Sequence, residues 1–137
     1  MKETQIRLKN VDSTDLKFLY KLLKQRDPKQ NISHRKMPSY IQHVKFISSK
    51  PYAFWYILVD NEEKVGSVYL TDLNEIGISL IKTKNEKELE REILKSLMKK
   101  HPLKKYFINI SSKNKKLEIF VKKFGFKMIQ KTYKFEK

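Results

Sequence analysis

The 137-residue sequence predicts a mixed α/β domain with helices on both faces of one sheet. Three observations lead to this prediction. Short runs alternate apolar and polar residues, which indicates strands, and longer runs repeat apolar residues every three or four positions, which indicates helices. These runs follow the order β-α-α-β-β-β-α-β-α-β. Within it, a strand, a helix and another strand follow one another at 75–111 and form a right-handed crossover, so those two strands are parallel.

The N-terminal part begins as a strand followed by a capped helix. Residues 4–11 alternate polar and apolar side chains, as a half-buried strand does. Asp12 or Ser13 then caps the helix, and Asp15 is placed to complete a capping box. We expect the polar stretch at 28–37 to be a connection rather than part of either element.

A second helix and a meander of three strands fill the middle of the chain. Ser39 is placed to start a short helix. Residues 51–61 are dense in β-branched and aromatic side chains, which is typical of an interior strand that is buried on both faces. Short turns separate it from strands at 64–72 and 75–82, so we expect these three strands to be antiparallel.

The C-terminal part alternates helices and strands. Asn85 is placed to cap a third helix, whose buried stripe is Leu89, Ile93 and Leu97 with Leu94 and Met98 beside it. A fifth strand follows at 106–111. Asn114 then starts a fourth helix, which Gly125 ends, and residues 126–136 are expected to form a final strand or two short ones. We interpret residues 1–137 as a single domain.

The net charge of +16 is concentrated near the C-terminus. A basic surface attracts anions, which include nucleic acid, an anionic cofactor and anionic lipid. The alternative is a solvated lysine-rich face with no partner, which also applies to the lysines of the fourth helix. A nucleic-acid-binding protein is therefore the third of our functional hypotheses.

The sequence contains no cysteine, which excludes disulfides, thiolate zinc sites and a cysteine nucleophile. The three histidines lack metal-ligand spacing, so we predict no metal site. The chain has no apolar signal segment and no run long enough to span a membrane, and we expect a cytoplasmic protein without membrane contact.

The segment Asn114–Phe126, NKKLEIFVKKFGF, together with the order of elements, resembles the GNAT superfamily of N-acetyltransferases. The resemblance covers nearly the whole chain. The runs HRKMPSYIQHVKFI and KVGSVYLTDLNEIGISLIK are also similar to small members that acetylate amino groups on nucleotide-linked sugars. The fold that the resemblance implies is the GNAT sheet, in which strands four and five are parallel and splay apart.

The resemblance implies acetyl-CoA as co-substrate. In the family, pantetheine pairs with the backbone of strand four, which maps onto Ser79, Leu80 and Ile81, and an asparagine that opens helix four, here Asn114, borders the cofactor. A substrate amine then attacks the thioester directly. The protein supplies positioning, a base and often a tyrosine that protonates the leaving thiolate.

Two segments depart from the family pattern. The turn into helix three normally holds the pyrophosphate on glycines, but here Glu88 and Glu90 stand at the glycine positions. The backbone amides of that turn, including Glu88, and the side chain of Lys87 are what the cofactor could still use. The family's tyrosine position holds Val121, which cannot donate a proton.

The resemblance also suggests candidate residues for the chemistry. Glu75 opens strand four, where the family often places a general base; the alternative is a solvated carboxylate at a hairpin end. His34, in the substrate-side connection, and His43, on helix two, are candidates for substrate binding, with ordinary packing as the alternative. Tyr69 in strand three could line the substrate gap or belong to the core.

The function that these observations favour is an acetyl-CoA-dependent N-acetyltransferase acting on a small amine, with an amino-sugar nucleotide, which is anionic, among the candidate acceptors. The alternative is a GNAT-shaped binding or accessory module that has lost catalysis, which the glutamates in the turn and Val121 would explain. Neither the acceptor nor the oligomeric state is encoded in a readable motif.

Overall fold

The computed structural model describes residues 6–25, 37–81 and 86–137. Its sheet has five strands in the spatial order β1-β2-β3-β4-β5. The strands are β1 (Ile6–Asn10), β2 (Phe54–Asp60), β3 (Glu63–Leu70), β4 (Glu75–Leu80) and β5 (Phe107–Ile108). The helices are α1 (Leu16–Lys24), preceded by a 3₁₀ turn at Ser13–Asp15, α2 (Tyr40–Ser48), α3 (Glu86–Lys100) and α4 (Lys115–Phe124).

The first four strands form an antiparallel ladder. β1 pairs with β2, β2 with β3, and β3 with β4, each in antiparallel register. The hairpin between β2 and β3 turns at Asn61 and Glu62, which both have positive φ, as a tight hairpin turn requires. β4 and β5 are parallel. The predicted antiparallel meander and the predicted parallel pair are therefore both confirmed.

Helices cover both faces of this sheet, and each covered face has its own core. One cluster joins α3 to alternate residues of the strands, among them Tyr56, Val68 and Ile76. The other cluster joins α1 and α2 to the intervening residues, among them Ile57. Trp55 packs against this second cluster. Trp55 and Tyr56 thus lie on opposite faces, as strand alternation predicts.

The predicted helix caps are present where the structure describes them. Asp12 and Asp15 form a reciprocal capping box before α1, and Ser39 and Gln42 form another before α2. The Asn114 side chain accepts a hydrogen bond from the backbone of α4, and Gly125, with φ of 126°, ends that helix. Asn85 and most of the 28–37 connection lie outside the described residues, so the predicted cap of α3 stays a prediction.

A buried ion cluster ties β1, the turn before α1 and β3 together. The Asp15 carboxylate is fully buried and accepts hydrogen bonds from Lys9 at 2.8 Å and from Lys64 at 2.7 Å. The Asp12 backbone N–H donates a third bond to it at 2.9 Å. Burial works to raise the pKa of Asp15, but the bonds from Lys64 and Lys9 outweigh it, so this pKa lies below its ordinary value.

The C-terminal end differs from the prediction in two ways. The fifth strand is only two residues long, Phe107–Ile108, instead of extending over 106–111, because β4 and β5 diverge beyond it. The predicted strand at 126–136 is absent, since this segment pairs with no strand of the described sheet. The segment contains aromatic and apolar residues, but a strand also needs a neighbouring edge to complete its hydrogen bonds.

Within the described residues, no helix has both the length and the apolar character that a membrane crossing requires.

Candidate functional site

The pairing of β4 with β5 ends after two residues, and this leaves a gap in the sheet. Glu75 pairs with Phe107 and Ile76 with Ile108, and beyond that point the two strands separate. On its other side β4 stays paired with β3 as far as Leu80. The gap is therefore one-sided: β4 is held in place by β3, while its opposite edge beyond Ile76 pairs with no strand in the described part of the chain.

Alternation along β4 identifies which backbone groups face the gap. The Glu75 carbonyl accepts from Thr71 N–H at 2.9 Å, and Ile81 N–H donates to Val65 at 2.9 Å, so the odd-numbered residues of β4 turn their backbone towards β3. Asn74 turns the other way, because its carbonyl accepts from Phe107 N–H.

The even-numbered residues beyond the last β5 pair are Ile78 and Leu80, and their N–H and C=O groups consequently face the gap. Of the three backbone positions predicted to hold the cofactor, Leu80 faces the gap directly. Ser79 pairs with Ser67 of β3, and the Ile81 amide is engaged by Val65.

Gly77 gives the gap its shape, because a tyrosine ring occupies the space of its missing side chain. Tyr69 is the cross-strand partner of Gly77. A Cβ placed on Gly77 would lie 2.0 Å from Cζ of Tyr69 and 2.4 Å from its hydroxyl oxygen. The Tyr52 ring stacks on the Tyr69 ring with centroids 3.7 Å apart and planes within 4° of parallel. The two rings form a flat wall at the point where β4 and β5 separate.

The helices on the opposite face close the gap into a cavity of about 230 Å³. The cavity is lined by Leu94 of α3, by Asn114 at the N-terminal cap of α4, by Leu117, Phe120 and Val121 of α4, and by Tyr52, Tyr69, Gly77 and Asn109. Val121 is almost completely buried and brings only methyl groups. The side-chain oxygen Oδ1 of Asn114 accepts a hydrogen bond from the Leu117 backbone N–H at 3.3 Å, so this predicted cofactor contact also caps its helix.

Glu75 lies at the closed end of the gap. It is the first residue of β4, and its carboxylate accepts a hydrogen bond from the side-chain amide of Asn109, just beyond β5. Asn109 itself lines the cavity. Glu75 is not itself among the residues that line the cavity, so its carboxylate is connected to the cavity through Asn109, and its role as a base stays a prediction.

The first turn of α3 contains the acidic residues that replace the glycines. Lys87 and Glu88 are exposed, and none of the residues 86–90 lines the cavity. Glu90 is turned inward instead. Burial, with the neighbouring charge of Glu86, raises its pKa to about 7, and its Oε2 has no hydrogen-bond partner among the described residues.

Of the two histidines predicted to bind substrate, the structure describes only His43. His34 lies outside the described residues. His43 is buried between Tyr20 and Phe46, with ring centroids 5.4 and 6.5 Å away, and burial lowers its pKa. It is not among the residues that line the cavity. Its role in substrate binding stays a prediction, and any such role needs the neighbouring rings to move.

Three residues at the gap were missed in the sequence: Tyr52, Gly77 and Asn109. Asn109 could have been identified from the sequence, because it is a polar residue within a mainly apolar strand. Gly77 had a weaker one, since an isolated glycine within a strand often marks a close approach. Tyr52 precedes β2 and could not be paired with Tyr69 without the strand register.

No protein-family model and no curated protein matches the sequence. Solved structures do match it. A domain from Methanocaldococcus jannaschii DSM 2661 has a TM-score of 0.75 at 22% identity, over 95% of this chain and 93% of that one. A spermidine N-acetyltransferase from Vibrio cholerae in complex with CoA and spermine has a TM-score of 0.71 at 18% identity, over 88% and 80% of the two chains.

A dodecameric structure of the Vibrio cholerae enzyme also matches, with a TM-score of 0.67 at 18% identity over 92% of this chain and 81% of that one. At these identities the likeness concerns the fold. The chain therefore has the fold of the spermidine N-acetyltransferases, and the predicted fold class, with its parallel and splayed strands four and five, is confirmed.

Proposed function

We propose that the chain is an acetyl-CoA-dependent N-acetyltransferase that acts on a small amine. The observation that carries this proposal is the end of β4–β5 pairing after Ile76, which leaves the backbone of Ile78 and Leu80 without a strand partner on that side. An amide-bearing chain such as pantetheine can take the place of the absent strand and complete those hydrogen bonds. The similarity of fold to enzymes that bind CoA supports the same proposal.

The chemistry needs little beyond positioning. The amine nitrogen attacks the thioester carbonyl carbon, a C–N bond forms, the C–S bond breaks, and its electron pair leaves on the CoA sulfur. Glu75 takes a proton from the incoming ammonium group, because its carboxylate lies at the closed end of the gap and is oriented by Asn109. After the attack the nitrogen loses a second proton, which passes to the departing thiolate or to solvent, and the neutral amide is formed. Val121 brings no proton donor, so the thiolate leaves without one from that position.

The proposal assigns the remaining predicted residues to contacts with the cofactor, with the neighbouring strand or with the acceptor. Leu80 contributes backbone groups to pantetheine, and Ser79 and Ile81 hold β4 against β3. Lys87 and the Glu88 amide are available to the pyrophosphate at the start of α3. Tyr69 and Tyr52 form the wall against which the acceptor lies. An amino-sugar nucleotide and a polyamine are both acceptors to be tested.

Calorimetric titration with acetyl-CoA tests the binding part of the proposal, and we expect binding in the micromolar to low millimolar range. Release of free CoA with a panel of amines tests the catalytic part. The panel should contain polyamines, amino sugars and nucleotide-linked amino sugars. Absence of binding at millimolar acetyl-CoA contradicts the whole proposal, whereas binding without CoA release across the panel indicates the catalytically inactive module.

The role of Glu75 has its own prediction. Glu75→Gln keeps the bond from Asn109 and removes the base, so we expect kcat to fall by roughly 10²–10⁴-fold with little change in acetyl-CoA affinity. Asp72→Asn, at an exposed turn three residues earlier, is the matched control and should retain activity. Equal activity of the wild type and the Glu75 variant would exclude this residue as the base.

A further inference from the structure

A row of lysines lies along the outer face of α1. Lys17, Lys21 and Lys24 are exposed and are spaced by four and three residues, so they lie above one another on the helix surface. The opposite face of the same helix carries Leu19 and Leu22, which are buried in the core. The orientation of the row is therefore fixed by the packing of α1.

These lysines have no carboxylate partner. None of the three forms an ion pair with any residue in the described part of the chain. Asp12 and Asp15, the acids on the N-terminal side of the row, are already bound by Lys9 and Lys64, and Asp27, three residues after Lys24, lies outside the described residues. Like charges at such spacings repel one another and destabilise a helix. An anion bound at the row would relieve this repulsion.

Two tyrosines form the floor of a groove beside the row. The Tyr20 hydroxyl donates to the Pro38 carbonyl at 3.0 Å, and the Tyr20 and Tyr40 rings pack edge to face with centroids 5.3 Å apart. Lys24 Nζ lies 5.6 Å from the centre of the Tyr20 ring. Tyr40 stays 39% exposed. We call this shallow, open depression of the surface the basic groove; it is lined by Lys17, Tyr20, Lys21, Lys24 and Tyr40.

The length of the row suggests what it holds. A helix rises about 1.5 Å per residue, so Lys17 and Lys24 are separated by about 10 Å along α1. A stacked nucleic-acid strand advances about 3.4 Å per nucleotide, so the row spans about three nucleotide steps and its three lysines can each contact a different phosphate of one strand. A positive row beside an exposed aromatic ring is the combination with which proteins hold single strands, since bases stack on the ring while lysines contact phosphates.

We propose that the basic groove binds single-stranded nucleic acid, with the phosphates on Lys17, Lys21 and Lys24 and a base stacked on Tyr40. The net charge of +16 adds long-range attraction for such a polyanion. The site is separate from the β4–β5 gap, since the cavity at the gap and the basic groove share no lining residue. The inference therefore does not depend on the proposed acetyl transfer.

Fluorescence anisotropy with a labelled oligothymidylate of about ten nucleotides tests this, with salt varied from about 50 to 200 mM. Each phosphate contact on a single strand contributes about 0.7 to the slope of log affinity against log salt. The variant Lys17→Gln/Lys21→Gln/Lys24→Gln should therefore lower the slope by about 2 and weaken binding at low salt by at least about tenfold. These side chains are exposed, so the variant should fold, which circular dichroism can verify.

The matched control removes three positive charges from the exposed C-terminal segment through Lys127→Gln/Lys131→Gln/Lys137→Gln. We expect it to change the slope by less than about 1, because those lysines contact no phosphate in this proposal. Tyr40→Leu should weaken binding by about five- to tenfold and leave the slope unchanged, since stacking does not release counterions. Both groove variants should keep the acetyl-CoA affinity of the wild type.

Four results would overturn the proposal. They are no binding of the oligonucleotide at about 50 mM salt, an equal loss of slope in the two triple variants, equally tight binding of AMP alone, and binding to vesicles of anionic phospholipid but not to the oligonucleotide. The second result would assign binding to general charge, the third to a free nucleotide, and the fourth to a membrane surface.

Discussion

Gly66 and Gly77 lie in the same β3–β4 ladder, yet the structure uses them for opposite purposes. A Cβ on Gly66 would lie 2.3 Å from the backbone carbonyl oxygen of Ser79, so the glycine lets two strands close fully. A Cβ on Gly77 would instead meet the ring of Tyr69, so this glycine lets a side chain cross over β4 where the sheet opens. The sheet around Gly66, which we call the closed region, is held together by backbone contact. The sheet around Gly77, which we call the open region, is shaped by side chains that can move.

The difference separates stability from function within one sheet. In the closed region, small changes must displace main chain, and the cost appears in the free energy of unfolding. In the open region, side chains can rotate into the gap, and the cost appears in ligand binding. Predictions for the two regions can be ordered by the expected size of the effect.

Gly66→Ala should have the largest effect. The added methyl group would contact the Ser79 carbonyl oxygen and the Leu80 side chain, at 2.3 and 2.8 Å, and β3 and β4 would have to separate. We expect a loss of more than about 3 kcal/mol in the free energy of unfolding, measured by urea denaturation. Ser67→Ala, at the next position, is the control and should lose about 1 kcal/mol. A small loss of stability for Gly66→Ala would mean that β3 and β4 are less tightly paired at this position than the structure shows.

Asp15→Asn should have the next largest effect, again in the closed region. The variant keeps the shape of the side chain but removes the charge that Lys9 and Lys64 contact. We expect a loss of about 2–3 kcal/mol at neutral pH, because breaking a buried pair leaves charges uncompensated. Glu118→Gln, which removes an exposed pair with Lys122, is the control and should lose less than about 0.5 kcal/mol.

The difference in stability between the wild type and Asp15→Asn should depend on pH. The pKa of Asp15 in the folded chain lies below its ordinary value, so its contribution is complete above about pH 4 and is lost as the pH falls further. Urea titrations should therefore show the wild type and Asp15→Asn converging in acid. A constant difference down to low pH would mean that the lost stability is not electrostatic.

Much of the closed region was predictable from sequence, whereas the open region was predictable only in outline. Alternation and capping residues determine the order of elements, because each depends on neighbours within about five positions. Given that order, the crossover rule makes strands four and five parallel. The early divergence of β5 and the unpaired segment at 126–136 depend on whether a distant edge is available. Tyr52 and Asn109 reach the gap through tertiary contacts, which no local pattern encodes.

Gly77→Ala should have a moderate effect on stability and a clear one on binding. The methyl group cannot coexist with the Tyr69 ring, which must leave its stack on Tyr52 and turn towards the gap. We expect a loss of about 1–2 kcal/mol in stability and at least tenfold weaker acetyl-CoA binding by calorimetry. In the Tyr69→Leu background the same substitution should cost less, because the obstructing ring is absent. Additive costs in this double-mutant cycle would contradict the steric account.

Glu90→Gln should have the smallest effect, and it should be a gain that depends on pH. The pKa of Glu90 is raised to about 7 by burial first and by Glu86 second, so the folded chain holds a proton that the unfolded chain releases at lower pH. Ionised Glu90 therefore destabilises the fold increasingly as the pH rises from about 5 to about 8. We expect Glu90→Gln to be more stable than the wild type by about 1 kcal/mol near pH 8, with the gain disappearing near pH 5.

Glu88→Gln is the matched control for this prediction, because Glu88 lies in the same turn of α3 but is exposed. Urea denaturation of both variants at the two pH values should give a gain that changes with pH only for Glu90. A gain for Glu90→Gln that is equal at both values would mean that the carboxylate is solvated in the folded chain. In that case the first turn of α3 would hold accessible negative charge where the proposed function requires CoA phosphates to approach, and the acetyl-CoA affinity expected for this site would fall accordingly.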